Sequence, residues 1–350
     1  MPDRHRLVLH TLAASHPMGL QVYDDQVAAG LPAELGDPWE VRRRVGRTLR
    51  SPLAGDVRVP GAVLSGDRPW LRAAYGRATA PRADLVHRMD LGCPPTGGPE
   101  VLTLHDVVAW RFPDEGMPPR SVHREVRAAA AVICPSQHTA EDVARLFGIE
   151  PVVIPNGVGQ EFFSAAPLDP DERAVLGVQG PFVLHAQGAT LRKNLHGLAA
   201  AWSVVAAKRP DVRLVMTGPP HSRRTGLFGD QPSVRMLGRV EEGLVPRLMA
   251  SAEAVVVPSL YEGFGFPALE AMAAGTPVVA ASRSSLPEVC ADAAVLCEPD
   301  GRSLAEALLA VLDDRPVELV RRGARRAAEY TWARSVRAHA RLYTSLVGSA

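Results

Sequence analysis

The feature that most constrains this chain is an alternation, in two successive series, of short apolar runs with longer amphipathic stretches. In the first series the runs are 6–10, 83–87, 101–104, 130–134 and 151–154; in the second they are 182–185, 212–217, 234–237, 254–257, 277–280 and 294–297. Runs this short suit strands buried on both faces. The helix-compatible segments between them supply the crossovers that parallel strands require. The pattern predicts an α/β chain with two doubly wound parallel sheets, the second more regular than the first.

A length of 350 residues accommodates two such domains. The run Val152-Val153-Ile154 stops at Pro155-Asn156-Gly157, a turn signal, and a loose segment follows at 164–171. These features divide the chain into 1–165, 166–330 and a C-terminal helix within 331–350, which runs to about Leu346 and is expected to pack back toward the first domain. Residues 31–80, rich in Pro, Gly and Arg, read either as an insertion that shapes an acceptor site or as variable surface.

Near balance between 39 basic and 38 acidic side chains excludes a global field that would draw in nucleic acid. The local cluster Arg321-Arg322 with Arg325-Arg326 fits one solvated helix face. Cys93, Cys134, Cys290 and Cys297 lie far apart and form no C-x-x-C pair, which argues against zinc and against a disulfide scaffold. The apolar run near the N-terminus is too short for a signal peptide and no segment is long enough to cross a bilayer. A cytoplasmic protein is expected, with any membrane contact peripheral and at the inner face. Lys193 and Lys208 are the only lysines among many arginines.

One segment, SLYEGFGFPALEAMAAGTPVVA at 259–280, has a clear local logic. The run 254–257 ends at Pro258 and a glycine loop follows. Pro267 then stands where a first helical turn tolerates a missing N–H, and Gly275 falls at that helix's end. The amides of Phe264, Gly265 and Phe266 therefore surround a helix N-terminus that favours an anion, and a phosphate is its natural guest. Glu262 and Glu270 flank that position. Carboxylates repel phosphate, so they make sense there as acceptors for hydroxyls on either side of a diphosphate.

Glu262 and Glu270, separated by seven residues within EGFGFPALEAMAAGTPVV, closely resemble the E-x7-E signature of the retaining family-4 glycosyltransferases (group 1, mannosyltransferase-like). LTLHDV (102–107), CPSQHTAEDV (134–143), IPNGV (154–158), RKN (192–194), LGRV (237–240), LPEV (286–289) and the WARS tail after Tyr330 follow in that family's order. The resemblance implies the GT-B fold, two Rossmann-like parallel-sheet domains facing across a cleft. It also implies a retaining enzyme that moves a mannose- or glucose-type hexose from a GDP- or UDP-sugar to a glycan, lipid-linked or small-molecule acceptor, as in polysaccharide biosynthesis.

Carried onto this sequence, the resemblance assigns Glu262 to the transferred hexose, Glu270 to the ribose, and Arg192 with Lys193 to the diphosphate, with Asn194 capping the next helix. His105 is assigned a catalytic hydrogen-bonding role, Gly19 a glycine loop near the phosphates, and Val240 a backbone contact to the base. Two departures stand out: Gln187 occupies a position where similar proteins carry glycine, and Met18-Gly19 replaces a glycine pair. Asp106 reads as a possible cap. Asp169-Pro-Asp171 has the form of a metal-binding D-x-D but lies in the linker and reads as a surface turn. No metal and no cofactor are expected. His185, His196 and His221 read as incidental. The competing readings are a nucleotide-sugar epimerase or phosphorylase on the same architecture and a non-catalytic sugar-nucleotide-binding subunit.

Overall fold

The computed structural model describes residues 4–13, 19–66, 68–241, 243–314 and 316–348. The chain forms two compact units, Met1–Gly157 together with Trp332–Ala350, and Val158–Thr331.

The first unit holds a parallel sheet of seven strands: β1 (His5–Leu12), β2 (Trp39–Thr48), β3 (Val57–Val59), β4 (Leu85–Arg88), β5 (Glu100–Thr103), β6 (Ala131–Cys134) and β7 (Val152–Val153). Their order is β3-β2-β1-β4-β5-β6-β7, so the winding reverses between β1 and β4. The apolar runs expected to be strands are strands here. β2 and β3 are additions to that expectation and account for part of 31–80. β2 escapes a search for apolar runs because it carries Arg42, Arg43, Arg44 and Arg47. These arginines are engaged locally: Arg43 pairs with Asp25 at 2.5 Å, and Arg47 donates to the Leu53 carbonyl at 2.6 Å.

The C-terminal helix, Trp332–Gly348, packs on the helix Gly19–Leu35 and enters the core of the first unit. A buried hydrogen-bonded chain fixes it there. His339 Nδ1 lies 2.8 Å from the Ser335 carbonyl and must donate to it, so its Nε2 accepts from Tyr23 at 2.8 Å. Tyr23 then accepts from Thr103 (2.9 Å), Thr103 from His87 Nε2 (2.7 Å), and His87 Nδ1 from Tyr343 (2.7 Å). The assignment satisfies every member with both imidazoles neutral. Burial drives both histidines in that direction, His339 down to about 4 and His87 well below its ordinary value.

The second unit holds six parallel strands: β8 (Phe182–Ala186), β9 (Arg213–Thr217), β10 (Val234–Gly238), β11 (Ala254–Val257), β12 (Val278–Ala281) and β13 (Val295–Cys297). Their order is β10-β9-β8-β11-β12-β13, which puts the reversal between β8 and β11. One core on each face of the sheet buries its apolar strands. The division between units falls after Gly157, earlier than the expected 165. The Val158 N–H donates to the Tyr330 carbonyl at 3.0 Å, and Phe162 and Leu168 sit in the core of the second unit.

Asp169-Pro170-Asp171, expected as a surface turn in the linker, instead starts a helix within the second unit: Asp169 is the N-cap of Pro170–Leu176 in a reciprocal pair with Glu172. Other local expectations have direct counterparts. Arg321 and Arg325 pair with Glu318, Arg322 with Asp292, and Arg326 with Glu329. All four cysteines are free thiols. Among the described residues no helix is long and apolar enough to cross a membrane.

Candidate functional site

In an open α/β sheet, ligands gather beyond the carboxyl ends of the strands where the winding reverses. In the second unit that place lies between the loop after β8, which runs from Gln187 to Asn194, and the loop after β11, which runs from Pro258 to Gly265. The two loops are stitched together. Asn194 caps the helix Leu195–Lys208 by accepting from the Gly197 N–H at 3.2 Å, and its amide donates to the carbonyls of Pro258 (3.0 Å) and Pro299 (2.6 Å). The Leu260 N–H donates to the Arg192 carbonyl at 2.7 Å.

The stitching brings Arg192 and Lys193 onto Glu262. Lys193 Nζ donates to Glu262 Oε1 at 2.6 Å and Arg192 Nη1 to Oε2 at 3.1 Å. Oε1 also accepts from Ser259 Oγ at 2.6 Å and from Gln187 Nε2 at 2.8 Å. The Glu262 main chain is held as firmly, its N–H by Ser284 Oγ at 2.8 Å and its carbonyl by Ser285 Oγ at 2.9 Å. Burial alone would raise this carboxyl, but Lys193 and then Arg192 outweigh it and hold it at about 2. The carboxylate is ionised across the physiological range, and the two cations nearest it are its partners.

His185, on β8, lies close enough to the cluster to feel Lys193 and Glu262. Burial first, then Arg224 and Lys193, lower it to about 3, and neither ring nitrogen has a hydrogen-bond partner among the other described residues.

The helix Phe266–Ala273 starts at Gly265, whose φ of 101° favours glycine and whose added Cβ would meet Leu286 Cδ2 at 2.9 Å. Pro267 lies in its first turn and Gly275, with φ 74°, follows its end, as the sequence predicts. The Phe264 ring is buried edge-on to Phe266 and Tyr330, so only its main chain faces the helix start. Glu270 stands apart from the cluster. It is partly exposed, makes no side-chain hydrogen bond to a described residue, and is raised to about 7 by burial and then by Glu161. Val240 follows β10 and packs against the core of the second unit.

His105 belongs to the first unit, just beyond β5. Its Nε2 lies 3.1 Å from the Met89 carbonyl, which places the proton on Nε2 and leaves Nδ1 as an acceptor in the neutral ring. Tyr23 packs against it edge-on at 4.8 Å. The Met89 segment is itself braced: buried Arg72 donates to the carbonyls of Gly92 (3.0 Å) and Cys93 (2.7 Å) and pairs with Glu125 at 2.8 Å. Asp106 accepts from the Val108 N–H at 3.2 Å, a turn cap. Gly19 opens the helix Gly19–Leu35. Met18, the other half of the expected glycine loop, lies outside the described residues.

Sequence reasoning missed Ser259, Ser284 and Ser285 altogether. It noted Gln187 only as a departure. Serines in loops are common, and nothing in their spacing announces that they converge on one carboxylate.

Two parallel-sheet units, the second with a carboxylate and two cations at its winding reversal, define a glycosyltransferase of the GT-B type. Residues 25–162 match the family model "Glycosyltransferase Family 4" and residues 181–314 the model "Glycosyl transferases group 1", and the chain belongs to this family of enzymes. It is 29% identical over 274 residues to O-antigen chain mannosyltransferase B of Escherichia coli, covering 72% of this chain and 70% of that protein. It is 27% identical to the phosphatidyl-myo-inositol mannosyltransferase of Mycolicibacterium smegmatis, over 93% of both. Among solved structures, HepE of Anabaena in complex with UDP and glucose is similar with a TM-score of 0.77 and 22% identity, over 97% of this chain and 100% of that one.

Proposed function

We propose that this enzyme moves a mannose- or glucose-type hexose from a UDP- or GDP-sugar to a hydroxyl acceptor, with retention of configuration and without a metal. The observation that carries this reading is the cluster of Glu262, Arg192 and Lys193 at the β8/β11 reversal. A diphosphate entering there meets two cations close to a helix start, and they stabilise the charge on the departing nucleotide. As the diphosphate draws the cations, Glu262 becomes an acceptor for a sugar hydroxyl. Glu270, whose side chain has no hydrogen-bond partner among the described residues, suits the ribose hydroxyls, and Val240 and the main chain of Phe264, Gly265 and Phe266 complete the nucleotide side. Gly19 and His105 are the proposed contributions of the first unit. No side chain of the cluster is placed as a covalent nucleophile, so displacement on the front face is favoured, with the leaving phosphate helping to deprotonate the acceptor.

The similarity to a structure solved with UDP and glucose supports the donor class, and the two mannosyltransferase relatives support a hexose. The setting proposed is the cytoplasm, with peripheral contact to the inner membrane face. A panel of nucleotide sugars tested for thermal stabilisation identifies the donor. Glu262→Ala and Lys193→Ala are expected to abolish most turnover of that donor. Wild-type turnover by either variant overturns the assignment.

A further inference from the structure

The four donors to Glu262 are unevenly shared. Among the described residues, Oε1 accepts from Lys193 (2.6 Å), Ser259 (2.6 Å) and Gln187 (2.8 Å), whereas Oε2 accepts from Arg192 alone (3.1 Å). A carboxylate oxygen offers about two lone-pair positions, so Oε1 is full and Oε2 keeps one open. The donors also differ in kind. Lys193 and Arg192 are cations that a diphosphate would draw toward itself. Gln187 and Ser259 are neutral, with exposures of 7% and 0%, and a diphosphate gives them no reason to move.

The Ser259 hydroxyl has one proton to give. Its 2.6 Å approach to the charged Oε1 outcompetes its 3.3 Å approach to the Gln187 carbonyl oxygen. Gln187 and Ser259 thus both donate to the same carboxylate oxygen. With the cations turned to phosphate, these two bonds still occupy Oε1 and hold the carboxylate in place, and Oε2 is the oxygen left to accept.

We propose that Gln187 is a positioning residue for the donor sugar: with Ser259 it fills Oε1 of Glu262 and so reserves Oε2 for one sugar hydroxyl. The inference rests on the proposed function and goes beyond it, because it assigns sugar recognition to a neutral side chain that bonds to Glu262 and approaches Ser259. It also couples the two halves of the donor, since a diphosphate that draws Arg192 away frees the second lone-pair position of Oε2.

The test measures binding of UDP, GDP, UDP-glucose and GDP-mannose by calorimetry to wild type, Gln187→Ala and Ser259→Ala, with KM and kcat for the sugar that is turned over. Gln187→Ala is expected to leave nucleoside-diphosphate affinity within about twofold while weakening the matching nucleotide sugar roughly 3- to 10-fold, chiefly in KM. Among monodeoxy analogues of that donor, one is expected to bind wild type poorly yet bind Gln187→Ala no worse than the parent sugar. If Gln187→Ala does not fold, Ser259→Ala carries the same comparison. An equal loss of UDP or GDP affinity overturns the inference, because Gln187 then only braces the loop bearing Arg192 and Lys193. An unchanged sugar preference overturns it too, while leaving the proposed function standing. Failure of the wild type to bind either nucleotide overturns both.

Discussion

Replacing Glu262 by Gln keeps the shape of the side chain and removes its charge, leaving Lys193 with a side chain only 9% exposed and no carboxylate partner at that position. A carboxyl drawn down from its ordinary 4.5 to about 2 corresponds to ~3 kcal/mol of stability at neutral pH. For a unit of this size that is a fall in Tm of about 6–12 °C. The folded-state value is depressed, so the contribution is complete above pH 4.5 and is lost as pH falls toward 2. The gap between wild type and Glu262→Gln should therefore be widest at pH 7 and should close progressively below pH 4.5. Urea unfolding of both proteins across pH 3 to 8 measures it. Nucleoside diphosphate adds a second arm: it supplies the missing negative charge, so it should stabilise the variant more than the wild type. A gap under about 0.5 kcal/mol at pH 7, or one that ignores pH, refutes the view that Glu262 and the two cations act as one charge-balanced unit.

Other outcomes follow from groups described above. Glu270 is raised to about 7, so its ionisation works against folding as pH rises from 4.5 through 7, and Glu270→Gln should gain stability relative to wild type at pH 8 but not at pH 4; thermal melts at the two values check this. Tyr343→Phe strands His87 Nδ1 in the core and should cost about 1–3 kcal/mol in the first unit, seen as a lower urea midpoint with an unchanged slope. Arg72→Met removes a cation from Glu125 and the donors that brace the Met89 segment, and should cost about 3–5 kcal/mol by chemical denaturation; a loss below about 1 kcal/mol would show the brace to be dispensable.

Much of the sheets was legible in the sequence because strands buried on both faces, such as Ala254–Val257 and Val278–Ala281, leave short apolar runs between turn signals. β2 was not, because its outward arginines hide a buried Trp39 at one end and Gly46 near the other. The helix at Phe266 was legible from Pro267 and Gly275, and the cap at Asn194 from its position before Leu195. What no local pattern reveals is the partnership of Glu262 with Lys193, 69 residues apart in the chain. The sequence suggests two cations awaiting a phosphate and a carboxylate awaiting a sugar. The fold brings them onto each other first, because buried charges 2.6 Å apart neutralise one another.

The placement of His339 and Tyr343 in the core of the first unit has a consequence for biosynthesis. The ribosome delivers residues 4–157 long before the helix that completes their packing, and the whole of the second unit must emerge in between. The second unit can finish folding as a contiguous piece, whereas the first waits for the helix Trp332–Gly348 with Tyr23 and His87 uncovered. Nonsense mutations or proteolysis near residue 331 would therefore damage the first unit, most of which is made before the second.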